Sequence, residues 1–129
     1  MSGEVKNMLA EYIHDNVNDL TYETTAELAV IYATKMDETF RKMFFNKMRP
    51  KFLKELKYLK EETLYKILWS LIKAGELKVS EKSPEWLMVK EDLKERAKEL
   101  SPKCLSDILL LSTLESKDGA SSQKTADLF

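Results

Sequence analysis

Apolar side chains recur along this chain at intervals of three and four residues, separated by short polar stretches. The clearest case is "LKEETLYKILWSLIKAGEL", residues 59–77, where Leu64, Ile67, Leu68, Leu71 and Ile72 fall on one stripe of a helix. Tyr65 and Trp69 widen that stripe around its flank. A stripe so wide predicts a helix packed on more than one side.

The same frame occurs three times. "LTYETTAELAVIYATKM" starts at Leu20, "LKEETLYKILWSLIKAG" at Leu59 and "LSPKCLSDILLLSTLES" at Leu100, with offsets of 39 and 41 residues. Apolar or small residues coincide down the frame: Thr25, Leu64 and Leu105; Leu28, Ile67 and Ile108; Ala29, Leu68 and Leu109. The segments before each anchor leucine agree as well. Leu9, Met48 and Val89 correspond, as do Ile13, Phe52 and Leu93, and Val17, Leu56 and Ala97. Those spacings of four mark one face of a helix.

Two helix types therefore alternate. B helices are expected over 4–18, 37–57 and 84–98, and A helices over 21–35, 60–74 and 102–115. Ser83-Pro84 and Ser101-Pro102 each place a capping serine before a proline at the first helical position. Asp37 can cap the second B helix, and Gly75 can close the A helix before it. Pro50 lies inside the second B helix and predicts a kink or break near Arg49.

A period of about 40 residues with two helices per unit predicts an all-α fold. The expected form is a short α-solenoid of about three helix-pair repeats, ordered B-A-B-A-B-A over residues 1–116, with a polar tail over 117–129. An ordinary six-helix bundle of similar helices is the plainer alternative.

Composition narrows the function classes. A chain of 129 residues, 43% hydrophobic and 33% charged, has the balance of a helix-rich domain with a sizeable core. Its net charge of −1 provides no whole-protein field toward nucleic acid or membrane. The single cysteine, Cys104, excludes an internal disulfide and is compatible with a reducing compartment. No apolar run approaches the roughly 20 residues of a membrane span. The segment "MSGEVKNMLAEYIHDN" has no apolar core for a secretory signal. It also lacks arginine and carries Glu4, Glu11 and Asp15, unlike a standard mitochondrial presequence.

The A segments resemble the repeats of FAST-kinase-like and RAP-domain proteins and of octotricopeptide and heptatricopeptide arrays. "LYKILWSLIK" (64–73) fits their leucine, polar cap and apolar helix; "LSPKCLSDILLLSTL" (100–114) fits without the tryptophan. The resemblance covers residues 1–116. It implies an organellar, mostly mitochondrial, helical-repeat protein that binds RNA or sits in a large assembly. This chain is short, leaves no room for a RAP domain and is nearly neutral.

Candidate sites are few. Residues 37–60 hold the one basic patch, with Lys47, Lys51, Lys54 and Lys57 opposite Met48, Phe52 and Leu56. That face suits either salt-sensitive phosphate contacts with RNA or a solvated surface that meets an acidic protein. His14 and Cys104 alone build no metal site, so no metal or cofactor is expected. Cys104 lies in the first turn of a helix, where the dipole could lower its pKa, though a small buried residue is the simpler role. No Gly-rich phosphate loop or nucleophile motif appears, so no enzymatic activity is expected.

The last A helix is apolar nearly all round. Leu110, Leu111 and Leu114 are expected on its outer side, away from Leu105, Ile108 and Leu109. Terminal helices of free-standing solenoids usually present a polar outer face. These leucines, with Leu128 and Phe129 of the tail, are therefore the expected partner-binding surface. The whole reads as a non-catalytic adaptor subunit of a larger, mitochondrial protein or ribonucleoprotein assembly, with an organellar RNA-binding module as the alternative. DNA and a membrane-spanning role are not expected.

Overall fold

The computed structural model describes residues 3–16 and 19–115, except for the side chains of His14, Leu114 and Glu115. Six α-helices account for most of it: α1 (Gly3–Asn16), α2 (Tyr22–Thr34), α3 (Glu38–Glu55), α4 (Glu61–Lys73), α5 (Pro84–Arg96) and α6 (Pro102–Glu115). A single 3-10 turn, Leu56–Tyr58, links α3 to α4, and no strand occurs among the described residues. The B helices of the sequence frame are α1, α3 and α5; the A helices are α2, α4 and α6.

Side chains cap the starts of α2, α3, α5 and α6. Thr21 Oγ1 accepts from the Thr24 N–H at 3.1 Å, Asp37 Oδ1 from Phe40 at 3.1 Å, and Ser83 Oγ from Trp86 at 3.3 Å. Ser101 Oγ accepts from Cys104 N–H at 3.1 Å. These bonds satisfy amides that the helix itself leaves open. Helix α4 has no side-chain cap, and Glu61 and Glu62 instead place negative charge against its N-terminal dipole. Its far end is closed by Gly75 at φ +76°, where the Glu76 N–H donates to Leu71 O at 2.8 Å and the Gly75 N–H to Ile72 O at 3.1 Å. That left-handed turn after the last helical residues is a Schellman closure, and it favours glycine.

Of the kink or break expected near Arg49, a break does not occur: α3 runs continuously from Glu38 to Glu55 with Pro50 inside it. Pro50 cannot donate to the Asn46 carbonyl, but both residues are exposed, so water can take that place. Met48 and Phe52, on either side of the proline, are both buried and hold the two halves to one core.

Helix α4 occupies the middle. It packs against both α2 and α6, while α2 and α6 share no comparable contact, and it also touches α3. Leu64, Ile67, Leu68, Leu71 and Ile72 are all buried, and Tyr65 and Trp69 are packed partly into the same core. The wide stripe of residues 59–77 is thus covered on several sides. On α2, whose principal neighbour is α4, the buried residues include Ala26, Ala29 and Ala33, which let the two backbones approach closely. Tyr32 of α2 stacks on Phe44 of α3 with ring centroids 4.3 Å apart, and Phe44 meets Phe45 edge-on at 5.0 Å.

Three polar contacts tie segments about 40 residues apart. Lys66 of α4 is ion-paired with Glu27 of α2. Arg96 Nη1 at the end of α5 donates to the Leu56 carbonyl at 2.9 Å. Ser101, the cap of α6, donates through both its N–H and its hydroxyl to the Glu61 carboxylate of α4, the second bond measuring 3.1 Å. The sequence separations are 39, 40 and 40 residues.

Candidate interaction surfaces

The basic side of α3 is built as its spacing predicts, with its charge partly occupied. Met48, Phe52 and Leu56 point into the core, while Lys47, Lys54 and Lys57 are exposed and Lys51 is half-buried. Lys51 Nζ pairs with Glu55 at 3.1 Å, and Lys42 Nζ with Glu38 at 2.8 Å. The Lys42 bond raises the lysine pKa and lowers that of Glu38, so both stay charged near neutrality. Arg49 Nη1 donates to the Glu76 carbonyl at 3.3 Å. Lys57 Nζ sits 5.4 Å from the centre of the Tyr58 ring. Lys47 borders an apolar cavity of about 220 Å³ lined by Ile13, Tyr32, Phe40, Met43 and Phe44. Local acids therefore trim the positive field that an RNA backbone would meet.

On α6 the outer surface differs from the expected one. Leu110 is 63% exposed, but Leu111 is only 4% exposed and belongs to the core. Cys104, Ile108, Leu111 and Ser112 form the buried face, and Ser112 spends its hydroxyl on the Ile108 carbonyl at 2.8 Å. Leu105 and Leu109, expected to be covered by the preceding unit, are half-buried. The inward face of α6 thus includes Ser112, whose burial is tolerated because its hydroxyl donates within the helix, and Leu111 lies beside it. The Leu114 side chain, Leu128 and Phe129 lie outside the described residues.

Between α4 and α6 runs a cleft of about 400 Å³ lined by Glu61, Tyr65, Lys66, Lys103, Cys104 and Asp107, among others. Cys104 is buried at its floor. Burial pushes the thiol pKa up, and the Glu61 and Asp107 carboxylates push it further, with Arg96 pulling back. The helix dipole does not prevail here, so Cys104 is a protonated core residue at neutral pH. No group of three or more His, Cys, Asp or Glu side chains among the described residues is arranged to hold a metal. No described helix is long and apolar enough to cross a membrane.

One surface escaped the periodicity. On α1, Val5 is 49% exposed, Met8 69% and Tyr12 54%. They are spaced three and four apart and therefore form one apolar stripe beside the buried Ile13. The signal was present in the breadth of the apolar arc, which extends beyond the inward-facing Leu9, Ala10 and Ile13.

No family model, curated protein or solved structure matches this chain. Its function has to be read from its own surfaces.

Proposed function

We propose that this chain is a non-catalytic helical-repeat adaptor, a subunit of a larger protein or ribonucleoprotein assembly, built as a short α-solenoid of three helix pairs. One observation carries this reading: buried positions recur with the sequence frame, and contacts between α2 and α4, between Leu56 of the 3-10 turn and Arg96, and between α4 and α6 span 39 to 40 residues. Stacked pairs of that kind leave extended surfaces and apolar edges, which suit them to holding other chains. Exposed Leu110, Val5, Met8 and Tyr12 supply such edges. The resemblance of the A segments to organellar repeat arrays supports a mitochondrial setting.

RNA binding is the second reading, favoured by exposed Lys47, Lys54 and Lys57 along one side of the α3 segment. The pairing of Lys51, Lys42 and Arg49 with Glu55, Glu38 and Glu76 weakens it.

The adaptor reading is tested by isolating the tagged full-length chain from its native cells and measuring the mass of the particle it travels in. A particle containing other polypeptides, lost on Met8→Glu with Leu110→Glu while helicity is kept, is the expected result. A native chain that elutes alone contradicts the proposal.

A further inference from the structure

The acids that offset charge along α3 do not reach its far end. Lys54, Lys57 and Tyr58 stand three and four residues apart where α3 passes into the 3-10 turn, so they share one face. All three are exposed, and so is Lys60 just before α4. The Tyr58 ring is 66% exposed, with the Lys57 ammonium 5.4 Å from its centre.

The fold brings a second segment to this turn. Arg96 Nη1 donates to the Leu56 carbonyl at 2.9 Å, and Ser101 donates to the Glu61 carboxylate. Residues 56–61 and 96–101 are thus pinned at both ends over equal lengths and run side by side. Lys98 lies on the second of them and is exposed. Lys54, Lys57, Lys60 and Lys98 form no ion pair among the described residues. Most acids of these segments are already held: Glu55 by Lys51, Glu61 by Ser101, Glu62 by Lys66 and Glu99 by Arg96. Exposed Glu95 has no such partner among the described residues, which leaves four unpaired lysines against one unpaired acid.

An exposed ring among unpaired ammonium groups matches a single strand of RNA, which offers phosphates to the lysines and flat, unpaired bases to the ring. An acidic peptide would satisfy the lysines without using the ring, and a duplex keeps its bases stacked within itself. We propose that the turn after α3 and the segment after α5 together bind single-stranded RNA. Tyr58 stacks on a base while Lys54, Lys57, Lys60 and Lys98 meet phosphates. The site lies beyond Lys47 and Lys51, and it rests on the second, RNA-binding reading above. It is small, so binding is modest and strongest at low salt.

The test is fluorescence anisotropy of a labelled oligouridylate of about ten nucleotides titrated with the full-length chain at several salt concentrations. Wild type is expected to bind at low salt. Tyr58→Ala should weaken binding about fivefold or more, the loss of one base stack, while Tyr58→Phe should bind like wild type. Lys57→Gln and Lys60→Gln should each reduce the slope of log affinity against log salt by about 0.7. All these side chains are exposed, so helicity should be unchanged. Binding that is indifferent to Tyr58→Ala and displaced equally well by polyglutamate overturns the proposal, since that surface would suit an acidic protein instead. Binding lost on Lys47→Glu with Lys51→Glu but kept in the Tyr58, Lys57 and Lys60 variants also overturns it, while leaving the RNA-binding reading in place. No binding at the lowest salt overturns both and leaves the adaptor reading to its own test.

Discussion

Glu61 of α4 holds Ser101 with both carboxylate oxygens, accepting one bond from its backbone N–H and another from its hydroxyl at 3.1 Å. Ser101 in turn accepts from the Cys104 N–H and so caps α6. The first turn of one A helix thereby sets the starting point of the next. Hydrogen bonds to a charged group contribute about 1.5–3 kcal/mol in such settings. Glu61→Ala should lower stability in a urea melt by about that amount. Ser101→Ala added to it should cost less than the two changes taken separately, because they share one network. Fully additive losses would show that the two residues do not cooperate.

Core and surface leucines should separate cleanly. Leu68 is fully buried at the centre of α4, and truncation of a buried leucine costs about 2–5 kcal/mol. Leu68→Ala should therefore shift the urea midpoint strongly, while Leu110→Ala, at an exposed site, should leave it nearly unchanged. Leu111→Ala should behave like Leu68→Ala. Equal effects at Leu110 and Leu111 would contradict the inward rotation of α6.

The helices and their ends were legible in the sequence for specific reasons. Serine before proline at 83–84 and 101–102, aspartate at 37 and glycine at 75 each satisfy or permit one backbone requirement, and these are local facts. Pro50 does not break α3, because the bond it cannot make lies between exposed residues where water can take its place. The orientation of α6 was illegible for a related reason. With leucine at 105, 109, 110 and 111, apolarity alone cannot choose the inward face, and the buried Ser112 that lies on it reads as polar. The α1 stripe was readable as apolar but not as exposed, because exposure depends on which side α3 takes.

Cys104 should be inert at neutral pH. Its folded pKa lies above the ordinary thiol range, so between the two values the unfolded chain has released a proton that the folded chain retains. Stability tied to this group is complete below the ordinary thiol range and is lost as pH rises through it toward the folded value. The stability of wild type relative to Cys104→Ala should therefore shrink with rising pH in that window. Alkylation of the native protein at neutral pH should be slow and should accelerate in urea. Rapid native alkylation would mean an exposed thiolate and would contradict the burial.

RNA binding provides a separate check. If the α3 face read phosphates, affinity for single-stranded RNA would fall steeply with salt and vanish on replacing Lys47, Lys51, Lys54 and Lys57 with glutamate. The paired state of Lys51 leads us to expect weak binding at low salt that is little changed by Lys51→Glu alone. Tight binding abolished by the four substitutions would favour the RNA-binding module over the protein adaptor.

The central claim is that α1–α2, α3–α4 and α5–α6 are three copies of one unit. An experimental structure of the full-length chain measures this directly, through the rotation and translation that carry each pair onto the next. The account predicts nearly the same operation for both steps, with Glu27–Lys66 and Glu61–Ser101 at the two junctions. Two unrelated operations, as in an ordinary six-helix bundle, would contradict it.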